Sequence, residues 1–320
     1  MLAGIFVFGS DVVTGNRSSA LWNPSEERAY WLDRIDERGE RIAYGEFVKQ
    51  TQDGANEYQH VRAHLMGEIL FEVRGAQGIA ICDENFGFGC FHGFFSAGFA
   101  SMGSDFVRSA DKVCVERFGP LGTGCQHGIG HGIVEYLGHT DVSKALELCD
   151  DTTQVVPLLG CTSGVFMETN TPFTTLPDEQ PLPPVAFSQE RPFSMCEEVD
   201  ERFKESCYYE LAGWWETVLL GDVAKMGALC SEVADIKYQR TCTLGIGNIV
   251  GHTSGYVVEE SVRRCELLPA GLHTWCRAGV AWSMYSNPEH HTKYIQVCEG
   301  LSPKEFAVCT EYTNLAEYES

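Results

Sequence analysis

No Cys-x-x-Cys occurs anywhere in this 320-residue chain, although it holds 14 cysteines. That absence argues against zinc ribbons, thioredoxin-type redox sites and covalent c-type haem attachment. Basic residues are scarce: 23 Lys and Arg stand against 45 Asp and Glu, a net charge of -22. Such a surface repels nucleic-acid phosphates and anionic membranes, so neither is an expected partner. Long hydrophobic runs are missing as well. The apolar stretch Leu2–Gly9 is too short to cross a bilayer and has no basic segment before it. It reads as the remnant of a trimmed signal or anchor, or as a buried N-terminal segment. The Gly-rich stretch 119–124 matches neither phosphate-loop pattern, which discounts nucleotide binding.

What is present is a spacing. The cysteines fall into seven pairs: Cys82 and Cys90, Cys114 and Cys125, Cys149 and Cys161, Cys196 and Cys207, Cys230 and Cys242, Cys265 and Cys276, Cys298 and Cys309. Within pairs the separations are 8, 11, 12, 11, 12, 11 and 11; between successive second cysteines they are 35, 36, 46, 35, 34 and 33. A period of about 35 residues is the signature of stacked helix pairs. The one long interval coincides with a Pro-rich insertion at 171–192, a candidate lid. Each unit reads as a short amphipathic helix ending near the first cysteine, a loop, and a second helix with the other cysteine in its opening turns. Positions equally far from the turn of such a hairpin face each other, which predicts seven nearest-neighbour disulfides. Disulfides in this number imply an oxidising compartment, so the chain is expected outside the cytoplasm: secreted, periplasmic or anchored facing outward.

Two organisational units follow. Residues 1–55 form an N-terminal segment whose short helices pack on the first repeat; Ser25-Glu26-Glu27 opens one of them and Gly39 ends it. Residues 56–320 form a single helical-repeat domain of seven to eight hairpins, beginning with a long helix that Gly75 stops. Glycine stands three residues after the second cysteine in five units (Gly93, Gly128, Gly164, Gly245 and Gly279). Glycine inside a helix costs about 1 kcal/mol against alanine, so its recurrence points to close helix–helix approach.

The second helices also carry the chemistry. His127, His131 and Glu135 stand four apart, and His60, His64 and Glu68 show the same triplet two units earlier. Four-residue steps put all three on one helical face, where two imidazoles can grip one metal ion and the carboxylate can ligate it or move protons. Counted from the second cysteine, the +2 position reads His60, His92, His127, Ser163, Tyr209, Leu244 and Ala278 round the units, with Tyr58 in the place of the cysteine in the first. His60, His64, His92, His127 and His131 are therefore the candidate metal ligands, and Glu68 and Glu135 the candidate catalytic acid and base. Imidazole and carboxylate ligands admit a divalent Zn, Fe, Cu or Mn ion. The remaining histidines, His139, His252, His273, His290 and His291, read as packing residues. Glu168 and Asn170 read as a solvated helix end, and Trp215 and Trp282 as core residues or stacking partners for a ligand.

In design the stapled hairpins are similar to other cysteine-rich helix-pair repeat proteins, and a closed arrangement to ring-shaped helical barrels such as lanthionine cyclases. No motif of either is present, so the likeness implies architecture alone. The expected fold is all-α: disulfide-stapled α-hairpins curved into an α/α superhelix or toroid. The expected function is that of a metalloenzyme, hydrolytic or oxidative, taking a small-molecule, peptide or glycan ligand in a central cavity. Two alternatives stand beside it: a scaffold binding a protein or glycan on its concave face, and a non-catalytic metal or haem carrier.

Overall fold

The computed structural model describes residues 22–52, 56–83, 85–119, 123–153, 158–172, 185–287 and 289–311. The N-terminal apolar stretch and most of the 171–192 insertion lie outside the described residues. Among those described, the chain is all-helical with no strand.

Helix α1 (Pro24–Arg38) starts at Asn23, whose side chain accepts from the N–H groups of Ser25 and Glu26. The expected start at Ser25 is thus one residue late. Pro24 suits the first helical position because its ring presets φ and it has no N–H to satisfy, leaving Asn23 as the cap. Gly39 ends α1 at φ +79° and leads into α2 (Glu40–Thr51). Both pack on α3 (Asn56–Arg74), the first of the long helices. Trp31 and Phe47 meet edge to face in this N-terminal core, and Arg62 of α3 reaches back to Glu27.

Beyond α3 come the stapled units. A 3-10 stretch at Gly75–Ile81 precedes α4 (Gly89–Met102), standing where a first helix is expected. The next units pair α5 (Phe106–Phe118) with α6 (Thr123–Leu137), and α7 (Val142–Leu148) with α8 (Cys161–Asn170). They continue with α9 (Ser194–Glu197) and α10 (Lys204–Val218), α11 (Val223–Glu232) and α12 (Ile236–Thr253), and α13 (Val258–Cys265) and α14 (His273–Tyr285). The last unit joins α15 (Tyr294–Cys298) to α16 (Pro303–Cys309), where Cys309 closes the second helix instead of opening it.

All seven disulfides pair nearest neighbours, as the spacing requires: 82–90, 114–125, 149–161, 196–207, 230–242, 265–276 and 298–309. Their Cα–Cα distances run from 5.5 to 5.9 Å, and no cysteine is left free. Seven disulfides suit an oxidising, extracytoplasmic environment. No helix among the described residues is long and apolar enough to cross a membrane.

The second helices pack in chain order, α3 on α4, α4 on α6, α6 on α8, α8 on α10, α10 on α12 and α12 on α14. The glycines explain how closely they approach. A Cβ on Gly93 would lie 2.0 Å from the His64 carbonyl oxygen, and one on Gly164 would lie 2.0 Å from that of His127. Backbone lies on backbone at these crossings, so any larger residue would push the helices apart.

The +2 face divides in two. In the C-terminal half Tyr209, Leu244 and Ala278 meet one another and Leu158, all buried. There the face expected to line a cavity is packed apolar core. Trp215, a candidate stacking residue, is fully buried against Phe193. The N-terminal half keeps its polar character.

Candidate metal centre

Three adjacent helices bring five imidazoles together. His60 and His64 come from α3, His92 from α4, and His127 and His131 from α6. Ring centroids lie 4.6 Å apart for His60 and His64, and 4.8 Å for His127 and His131. His92 sits between the pairs, 5.2 Å from His60, 5.4 Å from His64 and 5.6 Å from His131. The close packing of α4 between α3 and α6, permitted by Gly93 and its neighbours, is what sets this spacing.

Hydrogen bonds orient the rings. His60 donates its Nδ1–H to the Phe86 carbonyl at 2.7 Å, which leaves its Nε2 lone pair 2.9 Å from His64 Nε2. The Phe86 carbonyl is presented by a strained loop, in which Phe86, Gly87 and Phe88 all have φ near +60°. Bulky residues rarely adopt that conformation, so the surrounding structure holds it in place. The loop is closed by the Cys82–Cys90 disulfide.

One nitrogen from each of His60, His64 and His92 falls within 4.8 Å of the others, a set able to hold a metal ion. His92 Nδ1 is buried with no hydrogen-bond partner. A buried polar atom left without a partner costs about 1–3 kcal/mol, unless a ligand supplies the missing interaction. Donors round a tetrahedral ion stand roughly 3–3.5 Å apart, a contraction the long imidazole side chains can make.

Burial tunes the rings toward ligation. It pulls the His64 pKa down to about 3, with His60 adding to the effect. It pulls His127 down to about 3 too, with His131 contributing and a hydrogen bond to the Leu159 backbone opposing. His92 is held well below the usual imidazole range, first by burial and then by His131 and His64. A neutral imidazole with an available lone pair is the form a metal binds.

The carboxylates are arranged differently from the expectation. Glu68 and Glu135 do not belong to the three-histidine grouping. Glu68 pairs with Arg28 at 3.2 Å; burial raises its pKa and Arg28 opposes the rise. Glu135 accepts a 2.8 Å hydrogen bond from Ser96, and burial is again the first cause of its raised pKa. Glu68 and Ser96 line an open cleft of about 860 Å³, together with Arg28, Phe71, Glu72 and Met102. Each of these two lies one helical turn beyond a histidine, His64 and His92 respectively, though no imidazole lines the cleft itself.

Glu168 corrects the sequence reading. It is fully buried, not a solvated helix end. Its Oε2 stands 2.7 Å from His131 Nδ1 and its Oε1 stands 3.1 Å from His139 Nε2. His139 is thus a hydrogen-bonded residue, as expected, but one tied to the site. A second buried carboxyl, Glu210, accepts from Ser163, whose oxygen lies 3.2 Å from His127 Nδ1. Burial pushes the Glu210 pKa up to about 7. The other histidines serve packing: His252 meets the Tyr256 hydroxyl, His273 the Leu268 carbonyl and His291 the Tyr285 carbonyl.

Comparison with known proteins finds no matching family model, no matching curated protein and no matching solved structure. The site must therefore be read from its own chemistry.

Proposed function

We propose that this chain is an extracytoplasmic metalloprotein that holds a divalent transition metal (Zn, Fe, Cu or Mn) through His60, His64 and His92. The observation that carries the reading is the partly buried three-imidazole set, with His92 Nδ1 lacking any hydrogen-bond partner. Three histidines leave a fourth position for water or substrate, the arrangement of catalytic sites more than of structural ones. Glu68 lines a cleft one helical turn from His64, and Glu68 and Glu135, both raised in pKa, suit the transfer of protons. A metal-dependent hydrolase or oxidoreductase acting on a small-molecule, peptide or glycan ligand is the function favoured. A bare ion suits the site better than haem, since rings packed at centroid distances of 4.6 to 5.6 Å leave no slot for a flat macrocycle. The chain-order stacking of second helices supports a curved α/α superhelix or toroid around the site, secreted, periplasmic or anchored outward.

The test is elemental analysis of protein purified without chelator, beside a His60→Ala/His64→Ala variant. Bound metal that the variant loses while keeping its helical circular dichroism supports the reading. A wild-type protein that takes up no Zn, Fe, Cu or Mn after reconstitution sinks it.

A further inference from the structure

We propose that Tyr44 and Asp83 are positioning residues of the metal centre, through which helix α2 of the N-terminal segment fixes the ring nitrogen that His60 offers; this rests on the metal reading of His60, His64 and His92. A carbonyl oxygen can only accept, so the 2.7 Å contact with the Phe86 carbonyl puts a hydrogen on His60 Nδ1 whatever the charge of the ring. Nε2 is then the one nitrogen of His60 left for an ion. That choice depends on where the Phe86 carbonyl is held. The same oxygen accepts from the Gly89 N–H at 3.3 Å, and the Phe88 carbonyl accepts from the His92 N–H at 3.2 Å. The loop thus runs straight into α4 and its histidine.

Phe86, Gly87 and Phe88 stand at φ +56°, +61° and +63°. Strain of this kind persists only where neighbouring structure imposes it, and it gathers at functional sites. The unit itself gives little support. Its Cys82–Cys90 pair spans 8 residues where the other six span 11 or 12, and a 3-10 stretch replaces its first helix. The support comes from α2. The buried Tyr44 donates its hydroxyl to Asp83 Oδ1 at 2.7 Å. Burial and Asp83 raise the Tyr44 pKa, which keeps the phenol a donor. The Asp83 carboxylate also accepts from the Asn85 N–H at 3.0 Å and from Asn85 Nδ2 at 2.8 Å, turning the chain just ahead of Phe86. One turn along α2 from Tyr44, the buried Phe47 meets the Phe86 ring edge to face at 5.7 Å. On the other side lies α3: a Cβ on Gly89 would stand 2.7 Å from the His60 carbonyl oxygen. The loop is held between these two helices, and its carbonyl with it.

The test uses the full chain, stripped of metal with its disulfides intact, in two measurements: long-range proton–nitrogen spectra of the imidazoles, and Zn(II) titration against a chromophoric chelator. Wild-type His60 should carry a hydrogen on Nδ1; one found on Nε2 alone overturns the proposal. Tyr44→Phe keeps the buried ring and deletes only the hydroxyl. It is expected to spread the His60 hydrogen over both nitrogens and to weaken zinc binding about tenfold, the lower end of the loss for a group behind a ligating histidine. Tyr238→Phe deletes the same kind of bond, phenol to the Glu201 carboxylate, in α12 and should change neither readout. In a wild type that binds zinc, the failure of either change in Tyr44→Phe, or an equal loss in Tyr238→Phe, overturns the proposal. A wild type that binds no zinc overturns the metal reading, and the spectra then decide alone: a His60 hydrogen that stays on Nδ1 in Tyr44→Phe overturns the positioning role. Should Tyr44→Phe not fold, Asp83→Ala, at a partly exposed carboxylate, is read in the same two ways.

Discussion

Glu168 and His131 lie 37 positions apart in the chain and meet at 2.7 Å in the interior, the carboxylate fully buried and the imidazole nearly so. The contact crosses from α8 to α6 and orients the ring so that His131 Nε2 stands 2.9 Å from His127 Nε2. A buried carboxylate is costly unless its oxygens are satisfied, and the two oxygens of Glu168 are met by two histidines. Glu168→Gln should leave the helices stacked but lose the anion behind His131. Removal of such a supporting group typically costs 10–100-fold in metal affinity. Competitive Zn(II) titration of the variant should show a loss of about that size, and unchanged affinity would remove Glu168 from the site.

The metal-free protein should lose stability as pH falls. His64 and His127 keep pKa values of about 3 when folded, whereas an unfolded imidazole titrates near 6.5. Between those values the unfolded chain binds protons that the folded chain refuses. Each histidine then withdraws about 1.4 kcal/mol per pH unit, from about pH 6.5 down to about 3. Urea unfolding at pH 7 and pH 5 should show the loss, and His64→Gln should make it shallower.

Glu210 acts in the opposite direction. Its folded pKa of about 7 exceeds the unfolded value, so its contribution is present below about pH 4.5 and is lost as pH rises through 7. Glu210→Gln keeps an acceptor for Ser163 and removes the charge. The variant should resist the passage from pH 5 to pH 9 better than the wild type, by up to about 3 kcal/mol. Equal losses in the two proteins would show that Glu210 ionises freely.

Gly164→Ala should damage both fold and site, because its Cβ would strike the His127 carbonyl oxygen at 2.0 Å. Overpacking of this kind costs about 1–3 kcal/mol, and the displaced backbone carries His127, a candidate ligand. Gly45→Ala in α2 provides the contrast, since nothing lies within 4 Å of its Cβ. There the better helix former should raise stability by up to about 1 kcal/mol. Thermal melts of the two variants should move in opposite directions.

Removing the Cys114–Cys125 disulfide as Cys114→Ala/Cys125→Ala should cost about 2–5 kcal/mol. Cys125 stands two residues before His127 on α6, so metal affinity should fall together with the melting temperature. A variant that melts lower but binds metal unchanged would separate the staple from the site.

The disulfides were legible because the pair spacing is local: 8 to 12 residues leave a hairpin as the simple solution. The helix ends at Gly39 and Gly75 were legible for the same reason, and so was the common face of His60 and His64. Contacts between units were not. The four-residue steps from the second cysteine skip Glu168, which stands seven residues after Cys161, and its reach to His131 depends on how α8 is set against α6. One signal was available: Glu168 is the only charged residue in α8, Cys161–Asn170. A lone charge among apolar and small neighbours has to find a buried partner. Leu158 escaped notice because it lies in a loop, yet it fills the space between Tyr209, Leu244 and Ala278 where a cavity was expected.

The staples also decide what can compete for the metal. Cys90 and Cys125 each stand two residues from a histidine of the cluster, His92 and His127. A free thiolate there would outbid imidazole for Cu(I) or Zn and draw the ion out of place. Locked in disulfides, the sulfurs are chemically silent, and only nitrogen and oxygen donors remain. For the proposed metalloprotein, maturation would then have a direction: oxidation before metal loading, since an ion reaching the reduced chain would be held by sulfur.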